Sequence, residues 1–275
     1  MTAFNREQFI VEAIESVIYN SYQNFELIIV DDCSKDNTVN VARNYEQSDS
    51  RVKVFINEKN LGDYPNRNLA ATYAKGEYLL YVDSDDMLEK DTLEKLVFII
   101  KDIPDFNFAM YCEHIKAHEY YQGNEALRNH FFLKQFLYKG PGNTFIRRVF
   151  FNEISGYPVK YGPANDMYFN LKVCCYSTIL LLPFEFSYYR IHDGQEVNNH
   201  FSYLYNNYNY QKDALIELEL PFSNKEIKWL IKKNKRRFVV NLFLYFKKTK
   251  SITKIFKAIR YAQFSISDAF VGVFH

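Results

Sequence analysis

The sequence has few of the residues and segments that mark secreted, membrane-spanning or repetitive proteins. Only four cysteines occur in 275 residues, two of them adjacent, and none has the spacing of a metal site. This scarcity argues against disulfides and favours a reducing, cytoplasmic compartment. No apolar run approaches the ~20 residues of a membrane-spanning helix, and no basic segment followed by an apolar one marks a signal peptide. Internal repeats and linkers rich in Gly or Ser are also missing.

The net charge is only +1, but the charges are unevenly distributed. Residues 225–260 contain 13 Lys or Arg and one acidic residue, whereas residues 1–224 carry a net charge of −10. This distribution does not fit a nucleic-acid-binding protein and indicates a C-terminal segment that meets an anionic partner. Because the basic segment also contains aromatic residues, it could lie on an anionic membrane surface. A helical cap that packs on the rest of the protein is an equally supported alternative.

Strand and helix patterns alternate through the first hundred residues. Continuous apolar runs predict buried strands at 25–30, 51–56 and 78–82. Helical spacing and capping residues predict helices at 5–20, 36–45, 66–74 and 91–101. Such alternation predicts an α/β fold with a mostly parallel, doubly wound sheet, in which ligands bind at the carboxyl ends of the strands. The pattern is less regular after residue 106 and helical from residue 201 onward.

The third predicted strand ends in three carboxylates within four positions, Asp83, Asp85 and Asp86. Side chains alternate along a strand, so Asp83 and Asp85 are expected on the same side, where they repel each other unless a cation lies between them. Oxygen ligands suit Mg²⁺ or Mn²⁺, and Mg²⁺ usually binds one or two carboxylates plus substrate phosphates. Asp32 follows another strand at the same predicted edge. An acidic turn capping the next helix is the plainer alternative, although it needs only one carboxylate.

Four blocks of the sequence resemble the inverting glycosyltransferases of family 2, which have the GT-A fold. The blocks are Thr2-Ala3-Phe4-Asn5-Arg6, Val30-Asp31-Asp32-Cys33-Ser34-Lys35-Asp36, the central region from Asn60-Leu61-Gly62 to Asp83-Ser84-Asp85-Asp86, and Gly156-Tyr157 followed by Asn165-Asp166. The resemblance covers about residues 1–195. It implies a GT-A catalytic domain at 1–198, followed by a basic helical extension at 199–275.

The resemblance also implies an activity. A sugar would move from a nucleotide-diphospho-sugar, with a UDP-sugar favoured, to a glycan or a lipid-linked acceptor with inversion. A divalent metal, Mg²⁺ or Mn²⁺, would assist. The pathway, bacterial surface-polysaccharide assembly at the inner face of the plasma membrane, rests on family analogy alone. The membrane contact would lie within residues 225–260.

Individual roles follow from the resemblance by position. The residues expected to contact the nucleotide-sugar are Thr2, Phe4, Asp32, Arg67 and Asp83. Asp85 would ligate the cation that bridges the donor diphosphate, and His192 would lie near the metal or the diphosphate. Asp166 would be the general base that accepts the acceptor's proton. Plainer roles compete with some of these: carboxylates are favoured in the first turn of any helix, and a histidine after a strand is often a surface residue.

The chain also departs from the family pattern. Phe4, Cys33 and Asn165 stand where the family usually has Tyr, Gly and Glu. The family's first strand precedes the Thr2 block, so that strand is expected to be missing here, unless the chain continues upstream. Two other functions are alternatives to the transferase. A nucleotidyltransferase would need a Gly-rich phosphate loop near the N-terminus, which is not visible, whereas a catalytically silent nucleotide-binding or scaffold protein of the same fold remains the main alternative.

Overall fold

The structure is a computed structural model that describes residues 1–103, 105–192, 195 and 198–274. The helices within these ranges are α1 (Ile10–Ile18), α2 (Thr38–Ser48), α3 (Asp63–Tyr73), α4 (Thr92–Ile100), α5 (Gly123–Phe132), α6 (Arg148–Glu153), α7 (Asn165–Tyr176), α8 (His200–Glu217), α9 (Asn224–Thr249), α10 (Ile252–Tyr261) and α11 (Ile266–Phe274). The strands are β1 (Thr2–Ala3), β2 (Leu27–Asp31), β3 (Val52–Ile56), β4 (Tyr78–Leu80), β5 (Met87–Leu88), β6 (Phe108–Tyr111), β7 (Glu119–Tyr121), β8 (Thr144–Arg147), β9 (Ile179–Leu182) and β10 (Ser187–Tyr188).

The chain divides by its contacts into two units, here called the sheet unit and the helical unit. The sheet unit comprises Met1–Gln122, Lys139–Tyr157 and Ser177–Ile191. The helical unit comprises Gly123–Tyr138, Pro158–Tyr176 and His192–His275. Two segments that precede residue 198 thus share a unit with the C-terminal helices. The domain boundary predicted at 198/199 stays a prediction.

The N-terminal part of the sheet unit contains a parallel sheet in the order β1-β2-β3. All five residues of β2 are buried, because the strand is covered on both faces. The helix α1 contributes the apolar stripe Ile10, Ile14 and Val17 to the core on this sheet. Burial of such a stripe, at ~25 cal/mol per Å² of apolar surface, is the main term that stabilises the layer. The parallel sheet predicted for this region is confirmed.

The second sheet is mixed, with five strands in the order β4-β8-β6-β9-β7. Its single parallel pair is β6 with β9, whereas β8 runs antiparallel to both β4 and β6. The α/β fold class is therefore confirmed, but the strands after residue 78 pair mostly antiparallel. An apolar run that is buried on both faces reads the same in either direction, so the sequence could not distinguish the two arrangements.

The short strand β1 lies beside a groove. β1 contains only two residues, and it lies between β2 and Asp83, which bridges to Thr2 in parallel. Next to it, β2 and β4 border a groove of about 1010 Å³ that is lined by Leu27, Ile28 and Leu79 among others. The Met1 amine donates a 2.7 Å hydrogen bond to the Ile28 carbonyl. Burial, and then the nearby charge of Arg67, lowers the pKa of this amine to about 5.

The helical unit confirms the helical pattern predicted for the C-terminal region. Aromatic and aliphatic side chains from α8, α9 and α10 form its core, among them Tyr208, Phe238 and Ala258. The longest helix, α9, begins with a capping box in which Ser223 and Glu226 satisfy each other's backbone amides. Within the described ranges, no helix combines the length and the apolar character that crossing a membrane requires.

One predicted helix start and one predicted capping box are wrong, and both failures have the same cause. α1 begins at Ile10 rather than near Asn5, because Asn5 has a left-handed backbone with φ 52° and its side chain accepts from the Lys35 amide. The predicted capping box of Asp91 and Glu94 does not form, since Asp91 is also left-handed, with φ 62°, and its side chain accepts no capping hydrogen bond. Asn and Asp adopt this conformation more readily than other side chains do.

Candidate active site

Four parallel segments of the sheet unit end at one edge. Thr2 pairs with Val30 on one side and with Asp83 on the other, and β3 flanks β2. Asp32 therefore leaves β2 at the same edge as the acidic segment 83–86. Ligands of open α/β sheets bind at this edge, so the structure brings together, within one unit, the carboxylates that the sequence placed at strand ends.

Asp32 is buried and organises the loop that follows β3. Its carboxylate accepts 2.8 Å hydrogen bonds from the Asn57 side chain and from the backbone amides of Leu61 and Gly62. An ionised carboxylate has about four acceptor sites, so these donors leave about one for a ligand. The proposed contact of Asp32 with a nucleotide stays a prediction, and the loop shape that Asp32 imposes is its observed role.

The neighbouring residue Asp31 closes the turn after β2. It accepts from both the amide and the hydroxyl of Ser34, whose hydroxyl in turn accepts from the Asn5 amide. Cys33 in this turn has φ 68°, a conformation that glycine adopts without steric cost. The glycine usual at this position in the family thus has a backbone reason, and Cys33 occupies the position with strain.

Asp83 is held by a buried arginine from α3. The Arg67 side chain is only 6% exposed, and its Nη1 lies 2.6 Å from Asp83 Oδ1 while its Nε lies 2.9 Å from Asp63 Oδ1. These distances are those of ion pairs, although the buried atoms Arg67 Nε, Arg67 Nη1 and Asp83 Oδ1 are not aligned for hydrogen bonds. Arg67 therefore fixes Asp83 chiefly through charge, and its proposed contact with the nucleotide stays a prediction.

Asp85 is held by a different arginine, Arg6, which is the last residue of the Thr2 block. Arg6 Nε donates a 2.9 Å hydrogen bond to Asp85 Oδ2, and the Asp85 side chain is 15% exposed. Arg6 Nη1 also donates to the backbone carbonyls of Phe4 and Asn5 at 3.1 Å. The guanidinium is thus a cation placed on the carboxylate that was predicted to bind a metal.

Asp86 is the most deeply buried carboxylate of the acidic segment, at 6% exposure. It accepts a 3.0 Å hydrogen bond from the backbone amide of Arg190. Burial, together with the negative charges of Asp83 and Asp85, raises the pKa of Asp86 to about 7. Its proton occupancy therefore changes near neutral pH, in contrast to an ordinary aspartate.

The acidic segment forms a turn instead of a strand end. β4 stops at Leu80, and the Asp86 amide donates to the Asp83 carbonyl at 3.0 Å. Strand alternation consequently does not apply to Asp83 and Asp85, which contact different arginines. The expectation that Asp83 and Asp85 point the same way assumed that both lie on a strand. This assumption was wrong, since β4 ends before the carboxylates begin.

The two remaining nucleotide-sugar residues lie at the same edge but differ in exposure. Thr2 is buried within β1, whereas Phe4 is 42% exposed. A half-exposed aromatic ring beside a polar edge is available for stacking on a flat ligand. The nucleotide contacts predicted for Thr2 and Phe4 stay predictions.

The proposed base and the second proposed metal ligand belong to the helical unit. Asp166 is buried at 9% exposure in the first turn of α7, where its Oδ1 accepts from the Met167 amide at 2.7 Å. A carboxylate in this position is stabilised by the helix dipole. His192 is half-buried, and its backbone amide donates to Gln195 Oε1 at 3.0 Å. Both roles stay predictions.

The carboxylates of the sheet unit fit a cation that is shared with a ligand. Among the described residues, no group of three or more His, Cys, Asp or Glu side chains could hold a metal by itself. Mg²⁺ usually takes only one or two carboxylates and completes its shell with water and phosphates. Asp85 Oδ2 and Asp83 Oδ1 lie 2.9 Å and 2.6 Å from guanidinium nitrogens of Arg6 and Arg67, so a cation that binds either oxygen competes with an arginine. These hard oxygen ligands suit Mg²⁺ or Mn²⁺.

Residues 1–155 match the family described as Glycosyl transferase family 2. The chain belongs to this family, because the match covers more than half of its length. The resemblance seen in the sequence blocks is thus confirmed.

Individual relatives match over shorter regions. A protein of Bacillus subtilis, named putative teichuronic acid biosynthesis glycosyltransferase TuaG, is 39% identical over 110 residues, which are 40% of this chain and 44% of TuaG. The Escherichia coli protein WfgD, named UDP-Glc:alpha-D-GlcNAc-diphosphoundecaprenol beta-1,3-glucosyltransferase, is 37% identical over 112 residues, again 40% of this chain and 44% of the relative. The matched region therefore spans less than half of each relative.

Solved structures share the fold over almost the whole chain. S. aureus TarS 1–349 in complex with UDP-GlcNAc superposes with a TM-score of 0.69 at 21% identity, covering 95% of this chain and 79% of TarS 1–349. The mannosyltransferase PcManGT from Pyrobaculum calidifontis, in complex with GDP-Man and Mn²⁺, gives a TM-score of 0.64 at 14% identity, covering 98% and 83%. At these identities the likeness establishes the fold, and the predicted GT-A class is confirmed.

Sequence reasoning missed the residues that hold the carboxylates in place. Arg6, Asp63 and Arg190 were given no role, although each contacts the acidic segment or its arginine. Arg6 lies within the first resembling block, and that position was its only signal. Asp63 stands four residues before Arg67, a spacing at which opposite charges pair on a helix, so this contact was accessible from the sequence.

Proposed function

We propose that this protein transfers a sugar from a nucleotide-diphospho-sugar to an acceptor hydroxyl, with inversion at the anomeric carbon. UDP is the favoured nucleotide, because the E. coli relative is named for a UDP-sugar and the similar TarS structure contains UDP-GlcNAc. Bacterial surface-polysaccharide assembly is the proposed setting, which the names of the relatives support.

The observation that carries this proposal is the arrangement at the edge of the parallel sheet. Asp32 and the acidic segment with Asp83 and Asp85 lie at the ends of adjacent parallel segments. Each carboxylate there is already fixed by backbone amides or by an arginine, so the edge is preorganised before any donor binds. A scaffold protein would have no need to keep several like charges together at one edge.

In this proposal, different carboxylates bind the cation and accept the proton. Asp85, with Asp83 beside it, would hold a divalent cation, which stabilises negative charge on the departing diphosphate when it is bound. The bond between the anomeric carbon and the diphosphate oxygen breaks, and a bond to the acceptor oxygen forms. In our proposal Asp166 accepts the acceptor's proton. A single displacement on the face opposite the leaving group inverts the anomeric centre.

Thermal unfolding tests donor binding without knowledge of the acceptor. We expect the unfolding midpoint to rise with UDP when Mn²⁺ is present, and to respond less to GDP, dTDP or CDP, because a ligand of the native state stabilises it by mass action. The Asp85→Asn variant should lose the part of the shift that depends on Mn²⁺. If no nucleotide shifts the midpoint of the unaltered protein, the proposed donor site is wrong.

A transfer assay tests the base separately. The probe acceptor is GlcNAc-diphosphoundecaprenol with UDP-glucose, the pair that the name of the E. coli relative suggests. Asp166→Asn should retain the UDP-dependent shift and lose transfer by about 10²-fold or more, as expected for removal of a general base. The exposed Asp102→Asn is a matched control that should behave like the unaltered protein. Near-native transfer by Asp166→Asn would show that another group accepts the proton. Donor binding without transfer in the unaltered protein, with this or any lipid-linked acceptor, favours the silent nucleotide-binding alternative.

A lipid-linked acceptor gives the C-terminal helices a role in the same proposal. One face of α9 carries Trp229, Arg236, Val240, Phe243 and Lys247, which recur at helical spacing. Trp229 is 50% and Phe243 66% exposed. Cations interspersed with exposed apolar side chains are typical of a helix that lies on an anionic bilayer, and a contact through 225–260 would place the protein at the inner face of the plasma membrane.

Vesicle binding tests this contact. We expect the protein to sediment with equimolar phosphatidylcholine and phosphatidylglycerol and not with phosphatidylcholine alone, and added salt should weaken binding. Phe243→Ser should weaken it as well, whereas Lys53→Gln in β3 should not. Loss of binding by Arg236→Gln and Lys247→Gln with no effect of Phe243→Ser would indicate an anionic polymer as the partner. Equal sedimentation with both kinds of vesicle would contradict the proposal.

A further inference from the structure

The contact between Arg6 and Asp85 ties together two parts of the chain that are 79 residues apart. Arg6 Nε donates to one oxygen of Asp85, while the same guanidinium also donates through Nη1 to the carbonyls of Phe4 and Asn5. The Arg6 side chain is 27% exposed, against 6% for Arg67. Of these two arginines, Arg6 therefore has more room to move, since α3 and two carboxylates enclose Arg67.

The same carboxylate cannot serve two cations equally well. A guanidinium hydrogen bond occupies the lone pairs of Asp85 Oδ2 that a divalent cation would use, and two positive groups on one carboxylate repel each other at short range. The two cations therefore compete for Asp85. Three carboxylates in one short turn also repel each other when no cation is present, so a resident positive group lowers the free energy of the turn.

We propose that Arg6 is a stand-in cation for Asp85. When a divalent cation binds, the Arg6 guanidinium leaves the Asp85 carboxylate and contacts the donor diphosphate. This inference rests on the proposed function, because it requires the metal and the donor to meet at Asp85. The backbone contacts at Phe4 and Asn5 keep the guanidinium at the sheet edge during the exchange. An arginine suits the second position, since its planar group binds phosphate oxygens in pairs.

The proposal predicts effects of opposite sign on two ligands. Without Arg6, the metal no longer has to displace a cation, so Arg6→Ala should bind Mn²⁺ alone more tightly than the unaltered protein does. We expect a gain of about fivefold, the size of one typical intramolecular hydrogen bond. In the presence of saturating Mn²⁺ the same variant should bind UDP about tenfold more weakly, because the diphosphate loses a bidentate partner.

The measurement follows free Mn²⁺ by electron paramagnetic resonance and UDP binding by calorimetry, so neither readout depends on turnover. Arg6→Lys keeps the charge without the planar fork, and it should leave Mn²⁺ affinity near the native value while UDP binding stays weakened. Arg43→Ala is the control, because Arg43 pairs with Glu46 within α2. Its affinities should match those of the unaltered protein.

A different pattern would overturn the proposal. If Arg6→Ala binds both Mn²⁺ and UDP more weakly, Arg6 only positions Asp85 and does not exchange with the metal. If it leaves both affinities unchanged, the ion pair has no part in ligand binding. Should Arg6→Ala fail to fold, Arg6→Gln, which also removes the positive charge, carries the same comparison. Failure of the proposed function looks different, since the unaltered protein would then either bind no nucleotide with Mn²⁺ or bind it without any transfer.

Discussion

The acidic edge of the sheet unit and the basic face of α9 differ in whether their charged side chains have partners within the protein. At the edge, Asp32, Asp83 and Asp85 are each engaged by backbone amides or by an arginine, and they are mostly buried. On α9, exposed cations such as Arg236 and Lys247 form no ion pair with the described residues. Buried charges need partners within the protein, because an unpaired buried charge costs several kcal/mol, whereas exposed charges do not.

This difference in pairing indicates how a ligand would bind at each of the two regions. The paired carboxylates are held in a fixed geometry, and a ligand there must exchange with an existing partner. Lys235 of α9 pairs with Asp268, but Arg236 and Lys247 have no ion-pair partner to lose among the described residues, so they are available to something outside the chain. Mutations should therefore affect stability at the acidic edge and association at α9, and the following predictions test that division.

The largest effect on the free energy of unfolding is expected from Arg67→Met, at the acidic edge. This change leaves Asp83 without its buried partner while it keeps an apolar side chain of similar length. We expect the free energy of unfolding to fall by about 3 kcal/mol, as is typical when one member of a buried pair is removed. Urea unfolding measures it, with Arg67→Lys as the milder control. A loss below ~1 kcal/mol would mean that the pair behaves as a surface salt bridge.

The next effect concerns Asp86, whose folded-state pKa of about 7 exceeds the ~3.9 of an unfolded aspartate. Between these values the folded protein binds more protons than the unfolded chain. The free energy of unfolding should therefore fall as the pH rises from about 4 to about 7. Asp86→Asn removes this slope and should add about 2 kcal/mol at about pH 8.

Urea unfolding across this pH range, with a chelator present, measures the slope. Asp102→Asn is the control, since Asp102 is 83% exposed. A slope that persists in Asp86→Asn would assign it to another group of the protein.

A smaller effect is expected from the backbone of the same edge. Cys33→Gly relieves the strain of φ 68° but also frees the unfolded chain. The net gain in the free energy of unfolding should be about 0.5 kcal/mol, because left-handed backbone costs a non-glycine residue ~1 kcal/mol. Cys33→Ala retains the strained φ and should bring no gain. A destabilised Cys33→Gly would show that the Cys33 side chain contributes more than its backbone costs.

The smallest effect is expected from Arg236→Met on α9, the counterpart of Arg67→Met. The same chemical change at an exposed position should alter the free energy of unfolding by less than ~0.5 kcal/mol. Urea unfolding under identical conditions makes the two variants directly comparable. A loss as large as that of Arg67→Met would remove the distinction between the two charged regions.

The sequence was most informative where burial decides the structure. The run at β2 was predicted within two residues, because a continuous apolar segment must be covered on both faces. The antiparallel pairing of β4 could not be predicted, since nothing in an apolar run records which neighbour it pairs with. The start of α1 and the capping box of α4 were predicted wrongly, because Asn5 and Asp91 have left-handed backbones and their side chains do not cap the helices.

For the candidate site, the sequence identified the kind of residue and missed its partners. Asp83 and Asp85 were recognised as a pair, but the arginines that hold them come from α3 and from the segment after β1. Such contacts are set by the register of strands that are far apart in the chain. The pattern of charges therefore predicted what the edge contains, and only the structure shows which cation holds each carboxylate.

The hydrogen bonds of Asp32 have a consequence for the timescale on which the loop after β3 opens. The amides of Leu61 and Gly62 lie outside any strand, yet both donate to a carboxylate that is 3% exposed. Amide hydrogens exchange with solvent only when such bonds break. The amide hydrogens of Leu61 and Gly62 should therefore exchange as slowly as those of β2. The loop has no strand hydrogen bonds, yet we expect it to open only together with the parallel sheet that contains β2.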